Sequence, residues 1–171
     1  MAFCLVVKKA ITETDVFNEL RSCLNQTQLE ILQLVAPGGQ APLSLTYNPK
    51  GAKRPKTVYP DLIAYHNHSI YIGELKPRFS KADAEKLISI RESEDAAETI
   101  CKIVQRRGKN PLAKNPAVIF LMVHTQEDAP RVDGIIQVVF LAKGGVVLCG
   151  DKKVVFHNAL RSLENVISSF S

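Results

Sequence analysis

Several features that would assign this sequence to a specialised class of protein are missing. It contains no tryptophan, and aromatic residues make up only 6% of the chain. Its longest apolar runs, such as residues 117–123, are far shorter than the roughly 20 residues that a membrane-spanning helix needs. The N-terminus has no basic segment before its apolar residues and no small-residue cleavage site, which argues against export. We therefore expect a cytoplasmic protein without membrane association.

Cysteine is scarce too, and the chain has no Cys-x-x-Cys pair. The four cysteines are Cys4, Cys23, Cys101 and Cys149. Their wide separation predicts reduced, mostly buried thiols rather than a disulfide framework or a zinc site. The sequence also lacks a P-loop, so we expect no nucleotide cofactor.

The composition that is present describes one sizeable domain with a positive surplus. The chain has 171 residues, of which 46% are hydrophobic and 23% charged. This length suits one domain better than two. The formal net charge of +5 fits a polyanionic partner.

Local patterns predict an alternation of helices and strands. Apolar spacing predicts a first helix from Thr14 to Val35, capped by Thr14, which a break near Asn25 to Thr27 could split in two. Ser80 is a good N-cap for a long helix from Lys81 to Arg107. Strands are predicted at 43–47, 59–65, 69–76, 118–123, 135–141, 146–149 and 154–157, and a closing helix at 159–170. The continuous apolar run at 118–123 is typical of a central strand that is buried on both faces.

The second and third strands carry the most informative residues. If Asn67 and His68 form a hairpin turn, Ile63 lies opposite Ile72, and Asp61 lies opposite Glu74. Opposed carboxylates repel each other unless a cation lies between them. Lys76 is two residues beyond Glu74, so strand alternation predicts that it points to the same face.

This arrangement resembles the PD-(D/E)xK nuclease superfamily. The matching residues are Pro60-Asp61 and, after twelve intervening residues, Glu74-Leu75-Lys76. The resemblance implies that Asp61 and Glu74 bind Mg²⁺, or Mn²⁺ as a substitute, together with the backbone carbonyl of Leu75. It implies that Lys76 orients the attacking water and offsets charge on the scissile phosphate.

The resemblance also implies an acidic residue on the first helix and a surface that binds DNA. Many members of the superfamily add such an acid to the metal site; Glu19 is the preferred candidate here and Glu30 the other. Basic residues before and after the hairpin are candidates for contacts to the DNA backbone. They are Lys53, Arg54, Lys56, Arg78 and Lys81.

The expected fold is therefore a single α/β domain with a restriction-endonuclease-like core. The core would have the order αβββαβ over about residues 14–125, with a mixed central sheet flanked by helices. Residues 130–171 would add further strands and a helix. The expected function is Mg²⁺-dependent endonuclease activity on DNA, first as a homodimeric type II restriction endonuclease. A Holliday-junction resolvase or another structure-selective repair nuclease is the alternative, and a non-catalytic DNA-binding or assembly subunit is the second alternative.

Overall fold

A mixed seven-stranded sheet forms the centre of the molecule in the computed structural model, which describes residues 11–141, 146–150 and 153–156. The helices are α1 (Glu13–Leu24), α2 (Lys81–Arg91) and α3 (Ala96–Arg107). The strands are β1 (Glu30–Leu34), β2 (Leu45–Tyr47), β3 (Lys56–Val58), β4 (Leu62–His66), β5 (Ser69–Leu75), β6 (Ala117–His124), β7 (Ile136–Phe140), β8 (Val146–Cys149) and β9 (Lys153–Phe156).

The strand order in the sheet is β1-β4-β5-β6-β7-β8-β9. The strands β1, β4 and β5 are antiparallel neighbours, and β5, β6 and β7 are parallel. The remaining strands, β8 and β9, continue the sheet in antiparallel pairs. A separate two-stranded sheet is formed by β2 and β3. The chain is therefore α/β with a mixed sheet, as predicted.

The alternation of side chains along the strands gives the sheet two buried faces. On one face, Leu62 and Ala64 of β4 pack with Val16 and Leu20 of α1. On the other face, alternate residues of the same strands pack with α2 and α3, for example Ile63 with Leu87. Because both faces are covered by helices, β6 is a continuous apolar strand at the centre of the sheet, as its sequence predicts.

The predicted register of the hairpin is confirmed. Ile63 pairs with Ile72, and Tyr65 pairs with Ile70. The turn residue Asn67 has a φ of 41°, the left-handed conformation that asparagine tolerates in tight turns. The strands predicted at 135–141, 146–149 and 154–157 are also present, each shifted by no more than one residue at either end. The predicted helix at 159–170 lies outside the described residues.

The predicted first helix is wrong beyond Leu24. Its first half is helix α1, and the remainder turns at Asn25 and returns as β1 on the edge of the sheet. The N-cap is Thr12 rather than Thr14, because Thr12 and Asp15 exchange hydrogen bonds in a capping box. The strand predicted at 43–47 is present as β2, but it pairs with β3 outside the main sheet.

The predicted long helix from Lys81 to Arg107 is two helices. Its N-cap is confirmed, since the Ser80 side chain accepts a hydrogen bond from the N–H of Asp83. The helix stops at Arg91 because Ser93 and Asp95 bind the loop after β2 instead of extending the helix. Ser93 Oγ donates to the carbonyl of Asn48 at 2.9 Å, and Asp95 Oδ1 accepts from the Asn48 N–H at 3.0 Å. In the described part of the chain, no helix is long and apolar enough to cross a membrane.

Candidate active site

The motif residues Asp61, Glu74 and Lys76 meet at one end of the β4–β5 hairpin. Continuing the hairpin register by one residue beyond β4 brings Asp61 opposite Glu74. The backbone of Asp61 is held by the residue that follows β1, since its carbonyl accepts from the Val35 N–H at 2.8 Å. Its Oδ2 atom accepts from the Leu75 N–H at 2.9 Å. The two carboxylates are thus positioned by the hairpin itself.

Glu74 is the most buried carboxylate of the site, with 2% of its side chain exposed. Its Oε2 atom lies 2.6 Å from the ammonium nitrogen of Lys86 on α2. Its Oε1 atom is buried and has no hydrogen-bond partner among the described residues. Since buried polar atoms are nearly always partnered, this oxygen is available to a cation that the protein itself does not supply.

Burial makes the carboxyl groups of both Glu74 and Asp61 weaker acids than usual, because it raises the pKa of each. Burial raises the pKa of Glu74 to about 8, and the charge of Asp61 adds to the increase, although Lys86 opposes it. Burial also raises the pKa of Asp61, against the opposing effects of the Leu75 N–H and the charges of Lys76 and Lys86. Holding both groups ionised therefore requires additional positive charge.

Lys76 lies just past the end of β5 and is 37% exposed. Its Nζ atom is 3.3 Å from Oε1 of Glu13, in the first turn of α1. Burial alone would lower the pKa of Lys76, but the carboxylates of Asp61 and Glu13 outweigh this effect and raise it. The lysine is consequently a stable cation beside Asp61.

Three further charged residues of the site were missed by sequence reasoning: Glu13, Asp83 and Lys86. Glu13 was missed because the first helix was expected to begin at Thr14. The Lys86 ammonium lies 3.6 Å from Oδ1 of Asp83 as well as against Glu74. The Ser80 cap gave a signal for both, because it puts Asp83 in the first turn of α2 and Lys86 on the same face one turn later.

The two acids predicted to join the metal site from the first helix lie elsewhere. Glu19 is exposed on α1, where its charge acts on the buried thiol of Cys23. Glu30 is on β1 rather than on a helix, and it pairs with Tyr65 at the end of the sheet away from Asp61. The acidic residue that α1 brings to the motif is Glu13 instead.

The predicted DNA-binding residues are exposed. Lys53 and Arg54 lie on the loop between β2 and β3, and Lys56 begins β3. Arg78 follows β5 without being buried, and Lys81 at the start of α2 makes an exposed pair with Glu85 at 3.7 Å. The start of the β2–β3 loop is attached to Asp95, beyond the far end of α2 from Glu74.

The donor set at the motif suits a hard divalent cation, although it is small. No group of three or more His, Cys, Asp or Glu side chains in the described ranges is arranged to hold a metal ion. The predicted set of Asp61, Glu74, Glu19 and the carbonyl of Leu75 is therefore not assembled as a whole; without Glu19 it consists of two carboxylates and one backbone carbonyl. The unpartnered Oε1 of Glu74 is the feature that fits a cation.

Comparison with family models, with curated proteins and with solved structures finds no match to this chain. The function must therefore be inferred from the geometry of the site.

Proposed function

We propose that this protein is a Mg²⁺-dependent DNA endonuclease of the PD-(D/E)xK type. The observation that carries the proposal is the buried carboxylate of Glu74, whose Oε1 atom lacks a partner in the described structure and which faces the charge of Asp61. A pair of like charges at this position costs stability. Strongly shifted acids in such a cluster are typical of functional sites.

The chain's own residues have distinct roles in this proposal. Asp61, Glu74 and the carbonyl of Leu75 would hold Mg²⁺, and Mn²⁺ would bind the same oxygen ligands. When bound, the ion supplies Lewis acidity at the scissile phosphate. Lys76 keeps its positive charge at neutral pH, because the carboxylates of Asp61 and Glu13 outweigh the effect of burial on its pKa, and it stabilises the negative charge that develops on the phosphate.

The order of elements supports the same class of enzyme. Helix α1 is followed by the antiparallel strands β1, β4 and β5, then by helices, and then by the parallel strand β6. This order fits the αβββαβ core implied by the resemblance, with the β2–β3 hairpin as an insertion and one helix divided in two. Strands β7 to β9 extend the sheet beyond that core.

A homodimeric type II restriction endonuclease is the first specialisation to test, because two sites can cut both strands. A Holliday-junction resolvase or another structure-selective repair nuclease is the alternative. Purified protein should be incubated with plasmid, linear duplex and four-way junction DNA, with and without Mg²⁺. Discrete fragments would support restriction, and cutting of the junction alone would support a resolvase.

A non-catalytic DNA-binding or assembly subunit is a second candidate, favoured by one observation. Lys86 lies 2.6 Å from Glu74 and already supplies a positive charge to that carboxylate. A site of this kind could be stable without a metal ion. Binding without cutting, on all three DNA substrates and with either Mg²⁺ or Mn²⁺, would favour the subunit over the enzyme.

Asp61→Asn is the most direct test of catalysis. We expect the variant to fold normally, because the amide oxygen can still accept the Leu75 N–H, and to lose Mg²⁺-dependent cleavage. Cleavage should be measured under single-turnover conditions, with Asp128→Asn on an exposed loop as the control. An Asp61→Asn protein that cuts at the wild-type rate would remove Asp61 from the mechanism.

A further inference from the structure

Two large apolar side chains are exposed in the described part of the chain, and each is close in sequence to an acidic residue of the charged cluster. Tyr59 is 57% exposed and Ile11 is 39% exposed. Single exposed apolar residues are common on protein surfaces. Here, however, Tyr59 is two residues from Asp61, and Ile11 is two residues from Glu13. Two residues of extended chain span at most about 7 Å, so the backbone at Tyr59 and at Ile11 lies within that distance of the backbone at Asp61 and at Glu13, respectively.

Tyr59 is exposed on a backbone that is fixed on both sides. Val58 before it is buried and pairs with Leu45 in the β2–β3 sheet. Pro60 after it is buried, and its carbonyl accepts a hydrogen bond from Nε2 of Gln33 at 2.5 Å. The proline also restricts Tyr59 to an extended conformation. The ring is therefore presented to solvent from a rigid position, which lowers the entropic cost of binding a flat partner.

The surroundings of Tyr59 distinguish between classes of partner. A stable protein interface buries on the order of 1,000 Å² or more, which two separate side chains amid charges cannot provide. An aromatic ring close to a site that is proposed to bind a metal ion and a phosphate instead matches a nucleotide, which has a flat base attached to an anionic backbone. The faces of bases in intact duplex are covered by their neighbours, so a protein ring can stack only on a base that is unpaired and exposed.

We propose that Tyr59 stacks on an unpaired base next to the scissile phosphate, and that the preferred substrate is DNA with a single-stranded segment at the site. This inference rests on the proposed nuclease function and specifies its substrate class: within that function it favours the structure-selective nuclease over the type II restriction endonuclease, which cuts intact duplex. Ile11 provides a second, weaker apolar contact on the Glu13 side of the site.

The test compares binding of a single-stranded oligonucleotide with binding of the duplex of the same sequence, by fluorescence anisotropy in metal-free buffer. Tyr59→Ala should weaken binding to the single strand by about five- to a hundredfold, as expected for the loss of one base–aromatic stack, and leave duplex binding nearly unchanged. Tyr59→Phe keeps the ring and should bind like the wild type. Lys102→Ala, which alters an exposed pair with Glu98 on α3, is the control for a surface change away from the site.

A scan with abasic nucleotides makes the test independent of any one variant. One abasic position in the oligonucleotide should weaken binding of the wild-type protein about as much as Tyr59→Ala does, and it should have no further effect on that variant. Additive losses, or equal losses on duplex and single strand, would overturn the stacking assignment.

The two proposals fail in different ways. If single strands bind through Tyr59 but no single-stranded, duplex or junction DNA is cut with Mg²⁺, the nuclease function is wrong and the stacking site stands. If DNA is cut but Tyr59→Ala cuts and binds single strands like the wild type, the inference is wrong and the nuclease function stands.

Discussion

Lys76 and Lys86, the two lysines near the carboxylates of Asp61 and Glu74, differ in burial and in the acid with which each is paired. Lys86 is largely buried and lies 2.6 Å from Glu74, so its removal would leave a buried carboxylate unpaired. Lys76 is more exposed and is paired with Glu13 at 3.3 Å. We therefore expect Lys86 to contribute chiefly to the stability of the site and Lys76 to act on a bound phosphate.

Lys76→Ala should separate catalysis from binding. The lysine acts mainly in the transition state, so cleavage should fall by about two to three orders of magnitude while DNA and metal binding stay nearly intact. Single-turnover cleavage and equilibrium binding should be measured on the same protein. If binding falls in step with cleavage, Lys76 is an anchor for phosphate rather than a catalytic residue.

Glu74→Gln should change how stability depends on pH in metal-free buffer. The unfolded chain releases the Glu74 proton near the ordinary pKa of 4.5, whereas the folded chain retains it until about pH 8. Between these values the folded state binds more protons, so the contribution of Glu74 is fully present below pH 4.5 and is lost as the pH rises to about 8.

The Glu74→Gln variant should not lose stability in this way as the pH rises. Its free energy of unfolding relative to wild type should rise across that window in urea titrations, and the control Glu127→Gln on an exposed loop should show no such trend. A difference that does not change with pH would mean that Glu74 ionises normally in the folded protein.

The sequence identified Asp61 and Glu74 because their pairing depends on local information. A tight turn at Asn67 and the alternation of apolar residues together set the register of the hairpin. Glu13 and Lys86 depend instead on how two helices pack at the end of the sheet. Glu13 is 63 residues from its partner Lys76, a separation over which sequence patterns carry no information about contact.

At the scale of whole elements, the mistaken helix between Thr14 and Val35 has a physical explanation. Ile31, Leu34 and Val35 have spacings that suit a helix. In the structure, however, residues of β1 are partly buried on both sides at the edge of the sheet, and a register irregularity between Ile31 and Gln33 interrupts the alternation. An apolar pattern alone cannot distinguish a helix from an irregular edge strand in so short a segment.

Tyr65 connects strand β1 to the segment that follows α3, and these hydrogen bonds give a prediction about stability. The Tyr65 hydroxyl donates to Glu30 Oε2 at 2.6 Å and accepts from the Asn110 N–H at 2.8 Å. Tyr65→Phe should lower the free energy of unfolding by about 1–3 kcal/mol, because a hydrogen bond to a charged group is lost in a buried position.

The matched control is Tyr59→Phe, which removes the same hydroxyl from an exposed ring and should change stability by less than about 0.5 kcal/mol. Both variants should be compared by chemical denaturation. Equal effects would show that the Tyr65 network does not stabilise the junction between β1 and α3.

At the scale of the whole molecule, the sequence predicted the α/β class and most of the strands. It could not place the β2–β3 hairpin outside the main sheet, because that depends on packing of Leu45, Tyr47 and Val58 against the helices.

The loop between β2 and β3, which with the first residue of β3 carries Lys53, Arg54 and Lys56, gives a prediction about long-range charge. Replacing Lys53, Arg54 and Lys56 by alanine should weaken DNA binding about equally on all sequences. It should also flatten the salt dependence, by up to about 0.9 in slope for each phosphate that the loop no longer neutralises.

A matched triple variant provides the control for net charge. Replacing Lys102, Arg106 and Arg107 on α3 removes the same number of charges from a part of the molecule near the Glu30 end of the sheet. Filter-binding titrations over a range of salt concentrations should give different slopes for the two triple variants. Identical slopes would indicate that overall charge, and not the loop, attracts DNA.

The position of the two carboxylates at the base of a hairpin has a consequence for how the chain folds. A hairpin with a tight turn can form within about 1–10 μs, whereas contacts between distant segments form later. Asp61 and Glu74 would therefore meet before α2 brings Lys86 and before α1 brings Glu13 to Lys76. Repulsion in this early hairpin opposes folding, and divalent cations present during refolding should relieve it, so the folding rate would respond to the ion that the finished site is proposed to bind.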